Sequence, residues 1–595
     1  MNQKRVLPWL GFALVAILFF SRIAGFSFQD PDEGRYARVP QEMLNAGNWL
    51  TPSLASVPYF EKPPLFYWLV ASAYSLFGQS EGAARAVPAL AAFLTVWMTF
   101  SFGRHHFGQR AGLLAAGILA TAPLFFIFSQ SLVIDMVLTA CFTATMFAFY
   151  RACEAEAKTR WVLATVVAAS LAILAKGLLG LVLPGAIAVL TLIVRRDSAT
   201  LRALLRPAPI GLFLLITMPW FIWMSATHPE FLQYFLIENH FGRFLDAEGY
   251  GIAHPEGPWF YLPVMLLTPL PWSLAPFLLA GQTATRRAFG LVRKDLLVFF
   301  LLWALVVILF FSASSSKLPP YVLPAFPPLA LLLGAWLDLA MDEELEEPLL
   351  LRVIWPALIS LGILFLMASL GALLFGGFLA TSFPGNGSEI LAIRNAVFFA
   401  GIALVLGGAL WARQRRSRLP VDLILLMILT IGATELGAVG ARSVAKSGRA
   451  AAQILNDQAE PEDLIVMYRQ LSQSLLFYAD RRPIHLDDFV ELTELVALMP
   501  AADREPWFWK GNEKLLEAWN SPRRVFVYIN ERNLAKLEPE FERPYRVLVR
   551  NRKRLLVDNQ GGADDNRASA GSKVGEVEKI ATDSARNLAG SSPDR

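Results

Sequence analysis

Residues 161–195 read WVLATVVAASLAILAKGLLGLVLPGAIAVLTLIVR. One charge, Lys176, interrupts this run before Arg195 closes it. A helix crosses a bilayer with about 20 apolar residues. The run is therefore long enough for two short spans, 161–177 and 178–195, meeting at Lys176-Gly177. A helix on a soluble surface would carry a polar face at this length, and none is visible. The stretch predicts a membrane hairpin, and the rest of the chain is read outward from it.

The same character extends over most of the sequence. Of 595 residues, 55% are apolar and 17% charged, against about 45–50% and about 25% in soluble domains. One soluble core cannot hide that much apolar surface, so a soluble enzyme and a disordered chain are excluded. Net charge is +4, too weak to attract a polyanion, so nucleic acid is not a partner. Thirteen apolar stretches have spanning length. They lie near 6–26, 84–103, 111–129, 131–150, 161–177, 178–195, 208–226, 259–280, 295–312, 319–338, 352–379, 393–411 and 421–440. Lys4-Arg5 followed by Val6 to Phe26 has the shape of a signal peptide. No small-x-small cleavage site follows, so it is read as a retained first span. The apolar run 64–77 is shorter and flanked by Pro63-Pro64, which fits a helix lying on or shallowly in the membrane. Cys141 and Cys153 form no metal or disulfide pattern and read as packing residues.

Loop cations orient the chain, because cytoplasmic loops are enriched in Lys and Arg. Lys4-Arg5, Arg104/Arg110, Arg151/Lys158/Arg160, Arg195/Arg196/Arg202/Arg206, Arg286/Arg287/Arg293/Lys294, Arg352 and Arg413/Arg415/Arg416/Arg418 all fall on one side. That side is cytoplasmic, and the N-terminus with it. The loop 339–351 dissents with Asp342, Glu343, Glu344, Glu346 and Glu347, but acids weigh little in this rule. An odd number of spans puts the C-terminus outside. Two long outer loops result, 27–83 and 227–258.

Beyond residue 440 the composition becomes that of a soluble domain. A helical pattern over 441–458 precedes four strand-like runs: 463–468, 524–529, 545–549 and 554–557. Strands separated by helical stretches predict a small α/β domain over 441–558 on the periplasmic side. The Gly/Ser/Ala/Asp-rich tail 559–595 lacks apolar periodicity and reads as disordered.

The chemistry-bearing residues gather on the outer side. Asp30-Pro-Asp-Glu-Gly-Arg-Tyr36 follows the first span, and Tyr59-Phe-Glu-Lys-Pro-Pro64 follows in the same loop. Asp32 and Glu33 are paired carboxylates that bind a cation, orient a sugar or accept a proton; the plain alternative is an acidic turn. Asp135 sits near the outer end of the fourth span, where an unpaired charge costs several kcal/mol. Lys176 and Lys317 are lysines on the side that should lack them. Each either anchors at the interface or holds a phosphate. In the second outer loop, His240 and Arg243 are three apart, on one helical face. Mid-span positions are almost wholly apolar, which argues against a lipid-linked sugar transporter, whose polar groups would lie near the midplane. The arrangement suits an enzyme acting on a lipid with an anionic headgroup.

At these residues the chain resembles the bacterial aminoarabinose (4-amino-4-deoxy-L-arabinose) lipid A transferases and their protein O-mannosyltransferase-like relatives, membrane glycosyltransferases of the GT-C type. The matching pieces are Asp32-Glu-Gly-Arg-Tyr36, Tyr59-Phe-Glu-Lys62, the isolated Asp135 and Ser316-Lys-Leu-Pro-Pro-Tyr-Val-Leu-Pro324. The resemblance covers residues 1–440, and the C-terminal domain matches by position and size. It implies a mainly α polytopic GT-C fold in the inner membrane. It implies inverting transfer of a sugar from a polyprenyl (undecaprenyl) phosphate carrier to lipid A or a related envelope glycan on the periplasmic side. Asp32 and Asp135 then occupy the essential acidic positions, with Glu33, Arg35 and Tyr36 as the supporting loop. Tyr59, Lys62, Arg243, Lys317 and Tyr321 look like ligands of the carrier phosphate. Glu61 and His240 resemble a divalent-metal site, zinc or magnesium, with a structural or a catalytic role. Expected partners are the lipid-linked donor, the envelope acceptor and membrane lipids, for a chain acting as a monomer. A protein O-glycosyltransferase of the same fold is the alternative; it needs a base for its hydroxyl acceptor, and Asp32 is the first choice.

Overall fold

The computed structural model describes residues 3–242, 256–269, 272–274, 293–342, 349–375, 387–412, 419–437, 447–487 and 492–561. The chain divides into two compact units, Met1–Ala445 and Lys446–Arg595. The first is helical. The second is built on a sheet.

The first unit opens with α1 (Gln3–Phe20) and the amphipathic α2 (Asp32–Asn45). A short hairpin, β1 (Ser53–Leu54) and β2 (Val57–Pro58), follows. Glu42 holds it: the backbone N–H groups of Ala55 and Ser56 both donate to its carboxylate at 2.9 Å. Then come α3 (Leu65–Phe77), α4 (Glu81–Phe107), α5 (Gln109–Thr121), α6 (Pro123–Ser129), α7 (Ile134–Glu154), α8 (Thr159–Lys176), α9 (Leu179–Arg195), α10 (Ser198–Leu204) and α11 (Pro207–Thr227). A π-helical stretch covers Gln233–Gly242. The unit continues with α12 (Tyr261–Leu267), α13 (Lys294–Ala313), a 3-10 turn (Pro319–Ala325), α14 (Phe326–Asp342), α15 (Leu349–Leu374), α16 (Gly387–Ala412) and α17 (Leu419–Gly437).

Among the described residues six helical stretches are long and apolar enough to cross a membrane: α4, α7, α8, α11, α13 and Pro319–Leu339. Large apolar side chains such as Leu215, Ile222 and Leu309 stay exposed on them, as expected where hydrocarbon is the solvent. Some hydroxyls are satisfied inside their own helix, Thr95 bonding Ala91 O and Thr99 bonding Thr95 O, both at 2.8 Å. Helices meet closely where a side chain is missing. A Cβ on Gly334 of α14 would lie 2.6 Å from Ala115 N of α5, so these two backbones touch through small residues.

One expectation is corrected. The stretch 111–129 is not a single straight span: α5 and α6 are bent by 68° at the break between them. Pro123 causes it, since it cannot donate to the helix ladder and disfavours helix in the residue before it. Leu124 N instead donates to Thr268 O at 3.4 Å. The first helix also ends at Phe20, short of the expected 26. The predicted span 259–280 is only partly within the described residues. The predicted helix 64–77 is present as α3, with Leu76 and Phe77 exposed at its end.

Helix ends sort the polar groups into two sets. Arg293 binds Glu154 at 2.6 Å, Arg195 and Tyr150 bind Asp295, and Arg110 pairs with Asp338. Asp135 and Lys176 lie at the opposite ends of α7 and α8 from Glu154 and Thr159.

The second unit begins with α18 (Arg449–Gln458) and alternates β3 (Leu464–Tyr468), α19 (Gln473–Tyr478), β4 (Ile484–Leu486), α20 (Thr493–Leu498), α21 (Ala501–Arg504), β5 (Phe508–Trp509), α22 (Glu513–Asn520), β6 (Val525–Asn530), α23 (Glu531–Leu537), β7 (Arg546–Asn551) and β8 (Arg554–Asp558). The sheet order is β5-β4-β3-β6-β8-β7. The first four strands are parallel, while β8 and β7 are antiparallel. Val466, Val527, Val557, Leu515 and Trp519 fill the core. Beyond Gly561 the expected disordered tail lies outside the described residues.

Candidate active site

Two antiparallel helices create the centre of the site. Asp135 is in the first turn of α7, and Lys176 is the last residue of α8. A helical hairpin brings such positions side by side, and the two side chains form a buried ion pair. Pairing offsets part of the cost of burying either charge, and losing one partner would strand the other. The Lys176 ammonium also sits 4.3 Å above the Tyr321 ring centroid, a cation–π contact that strengthens as water is excluded. The Tyr261 hydroxyl, within electrostatic reach of Asp135 and Tyr321, donates to Leu318 O at 3.0 Å.

The N-terminus of α2 reaches the same place. Tyr36 lies close enough to Asp32, Tyr67 and Asp135 for all three to act on its phenol. Burial, opposed by Arg35, keeps that phenol well above its ordinary value. Asp32 pairs with Arg35 one turn on, yet half of its side-chain surface (51%) stays open to solvent. It is the accessible carboxylate of the group.

Glu33, next in sequence, does the opposite. Its carboxylate accepts from Arg85 Nε (2.9 Å) and Nη2 (2.7 Å), from Gln29 N (3.1 Å) and from Leu132 N (2.9 Å). Arg85 is fully buried and also donates to the carbonyls of Ile23, Phe26 and Ser27. Its guanidinium lies 3.8 Å over the Phe26 ring. This pair fixes four segments together, and it holds Asp32 near the turn that precedes Asp135. Glu33 is a positioning residue.

Lys317 is buried and donates to Glu256 O at 2.7 Å and to Ser314 O, which uses two of its three N–H donors. Tyr59 and Glu61 are buried in the loop before α3. The Lys62 ammonium is 3.7 Å from the Glu61 carboxylate. Phe60 between them packs on His228, Phe231 and Tyr234, with ring centroids 5.2, 5.7 and 6.2 Å away. The loop before α3 is thereby docked on the segment that follows α11. The side chain of His240 and all of Arg243 lie outside the described residues.

Glu61, a buried carboxylate, suits one ligand position of a hard divalent cation, in competition with the Lys62 ammonium. Another group within metal-ligand spacing is His105, His106 and Glu154, at the far ends of α4 and α7. There Arg151 reaches His105 and Arg293 binds Glu154 Oε1, while His106 Nε2 lies 3.5 Å from Glu154 Oε2.

Sequence reading named Asp135 and Lys176 separately and missed their pairing. It missed Arg85 and Tyr261 altogether. Arg85 could have been found as a lone cation at the start of an apolar span, on the side where cations are scarce.

Comparison with known proteins agrees with this architecture. The profile of the dolichyl-phosphate-mannose-protein mannosyltransferase family matches residues 61–223. The undecaprenyl phosphate-α-4-amino-4-deoxy-L-arabinose arabinosyl transferase of Pectobacterium atrosepticum is 30% identical over 428 residues, 70% of this chain and 74% of that one. A Proteus mirabilis protein of the same name is 32% identical over 346 residues, 57% of this chain and 61% of that one. The crystal structure of ArnT from Cupriavidus metallidurans bound to undecaprenyl phosphate superposes with a TM-score of 0.78 at 26% identity, covering 94% of this chain and 99% of that one. Its apo form gives 0.77. Fold and site thus define a polytopic membrane glycosyltransferase of the GT-C type. Within that class, the chain belongs to the family of undecaprenyl phosphate-aminoarabinose arabinosyl transferases.

Proposed function

We propose that this enzyme transfers 4-amino-4-deoxy-L-arabinose, or a closely related sugar, from undecaprenyl phosphate to lipid A or a related envelope glycan. The reaction takes place on the periplasmic face of the inner membrane, with the N-terminus cytoplasmic and the second unit periplasmic. The observation that carries the reading is the similarity, over 94% of this chain, to a chain solved with undecaprenyl phosphate bound.

The chemistry of the site supports it. The leaving group is a phosphate, so cations that neutralise it lower the barrier electrostatically. Lys317, Lys62 and Arg243 supply that charge, and Tyr59 and Tyr321 supply hydroxyl donors. Asp135 pairs with Lys176 and fixes where its ammonium points. A phosphate monoester acceptor is already anionic at neutral pH, so it needs no strong base. Asp32 then orients the reactants and stabilises positive charge developing on the sugar. A divalent ion, zinc or magnesium, held by Glu61 and His240 would brace the two outer loops. Metal analysis of the purified protein tests this: equal metal content in Glu61→Gln rules the pair out.

Mass spectrometry of lipid A from cells with and without the gene tests the main reading. A pentosamine mass increase that depends on the gene is expected. A protein hydroxyl acceptor is the second reading, favoured by the mannosyltransferase profile over 61–223. Sugar found on secreted proteins, with lipid A unchanged, would select it.

A further inference from the structure

The second unit carries a site of its own. An open cleft of about 750 Å³ is lined by Arg469, Asp487, Asn530, Arg532, Asn533 and Lys536. Topology explains where it lies. The chain builds outward from β3 to β4 to β5, then crosses back and adds β6 on the other side of β3. Connections leaving β3 and β6 therefore diverge, and a crevice opens at the carboxyl ends of the strands. Open α/β sheets bind ligands at such points. Arg469 directly follows β3, Asp487 directly follows β4, and Asn530 ends β6. Arg469 (φ +48°) and Asp487 (φ +64°) both hold left-handed backbone, uncommon for residues with a side chain.

The charges are unevenly committed. Arg469 Nε and Nη2 both reach Asp487 Oδ2 at 2.9 Å, and Gly511 N donates to Asp487 Oδ1 at 2.7 Å. The one acid lining the cleft is thereby neutralised. Arg532 and Lys536 are exposed and four apart on α23, so they share a helix face. Neither has an ion-pair partner among the described residues. Asn530 uses its side-chain oxygen on Asn533 N, which leaves its amide NH2 free to donate. The cleft thus offers uncompensated positive charge and neutral N–H donors around a pocket of headgroup size. A compact, doubly charged anion satisfies that set.

We propose that the second unit binds a phosphate monoester in this cleft, with Arg532 and Lys536 as its cationic ligands, Arg469 lending its remaining Nη1 N–H donors, and Asn530 and Asn533 as amide donors. The site uses residues 469–536 only and stands whether or not the transfer reading does. Its phosphate comes either free in solution or on a lipid headgroup.

Calorimetric titration of the purified full-length protein distinguishes these. One arm uses inorganic phosphate; the other uses lipid A against its dephosphorylated form in the same detergent. The probe is the difference between wild type and the double variant Arg532→Ala/Lys536→Ala, both exposed positions. Affinity for phosphate is expected to fall at least about tenfold for each cation removed, the size of one charge-assisted hydrogen bond. Loss in both arms supports a site open to either source; loss in the lipid arm alone supports a headgroup site. The double variant binding both probes as tightly as wild type overturns the proposal. So does wild type that binds neither at millimolar concentration, or an equal loss in Lys510→Ala, an exposed cation of the same unit outside the cleft. Arg532→Gln/Lys536→Gln repeats the test if the alanine variant is poorly folded.

Discussion

Glu33 and Arg85 face each other with two hydrogen bonds, at 2.9 and 2.7 Å, and neither side chain exposes more than a tenth of its surface. They are 52 residues apart in sequence, and their bond anchors the loop that carries Asp32.

Breaking that pair is expected to unfold rather than merely inactivate. Removing one partner leaves a buried charge uncompensated, at a cost of about 3–5 kcal/mol. Glu33→Leu and Arg85→Met should each lower the midpoint of thermal unfolding in detergent. The double variant should be less damaged than either single one. Equal stability of all three and wild type would contradict the role given to Glu33.

Asp32→Asn should separate activity from stability. Asp32 itself is half exposed, and an ion pair open to water on the carboxylate side is worth no more than about 1 kcal/mol. The variant should keep its unfolding midpoint while sugar transfer from the lipid-linked donor falls at least about a hundredfold, as for other lost transition-state contacts. Full transfer activity in a folded variant would remove Asp32 from the machinery.

Asp135→Asn should cost both. It strands the Lys176 ammonium in a buried setting, so a lower unfolding midpoint accompanies the loss of transfer. Lys176→Met combined with Asp135→Asn should recover stability but not activity. Recovery of activity would show that the pair is only a structural tie.

Tyr36 should stay protonated at every pH where the protein is folded. Burial is the main cause, and the charges of Asp32 and Asp135 add to it. A folded-state value above the unfolded value of about 10 means that its contribution is whole below pH 10 and is lost as pH rises through the raised value. Alkaline difference absorbance checks this. Tyr36→Phe should remove one phenol from those that ionise only on unfolding; a Tyr36 phenol titrating near pH 10 in folded protein would be the contrary result.

How much of this was legible in the sequence depended on range. Apolar runs declare themselves residue by residue, so α7, α8, α11 and α13 fell where expected. Strands of five or six residues, β3 and β6, were visible; β4 and β5, with three and two residues, were too short to show alternation. Asp338, inside the last two turns of α14, pairs with Arg110, whereas the acidic residues Glu343, Glu344, Glu346 and Glu347 that follow lie outside the described residues. The Asp135–Lys176 pair was within reach, because a hairpin of two helices sets the first turn of one beside the last turn of the next. Arg85 stood out as a cation at the start of an apolar span, but its partners, Glu33 and the carbonyls of Ile23, Phe26 and Ser27, are brought to it only by the fold.

The bend at Pro123 carries a consequence for biosynthesis. Leu124 N–H, released from its own helix, is satisfied by the carbonyl of Thr268. Hydrocarbon tolerates no stranded amide. A ribosome that has delivered α5 and α6 to the translocon has not yet made that acceptor, nor Trp272, whose indole bonds Thr121 at the same elbow. The elbow therefore cannot be finished as it is inserted. Its two halves must wait, straight or wetted, until the chain beyond residue 267 emerges and closes it.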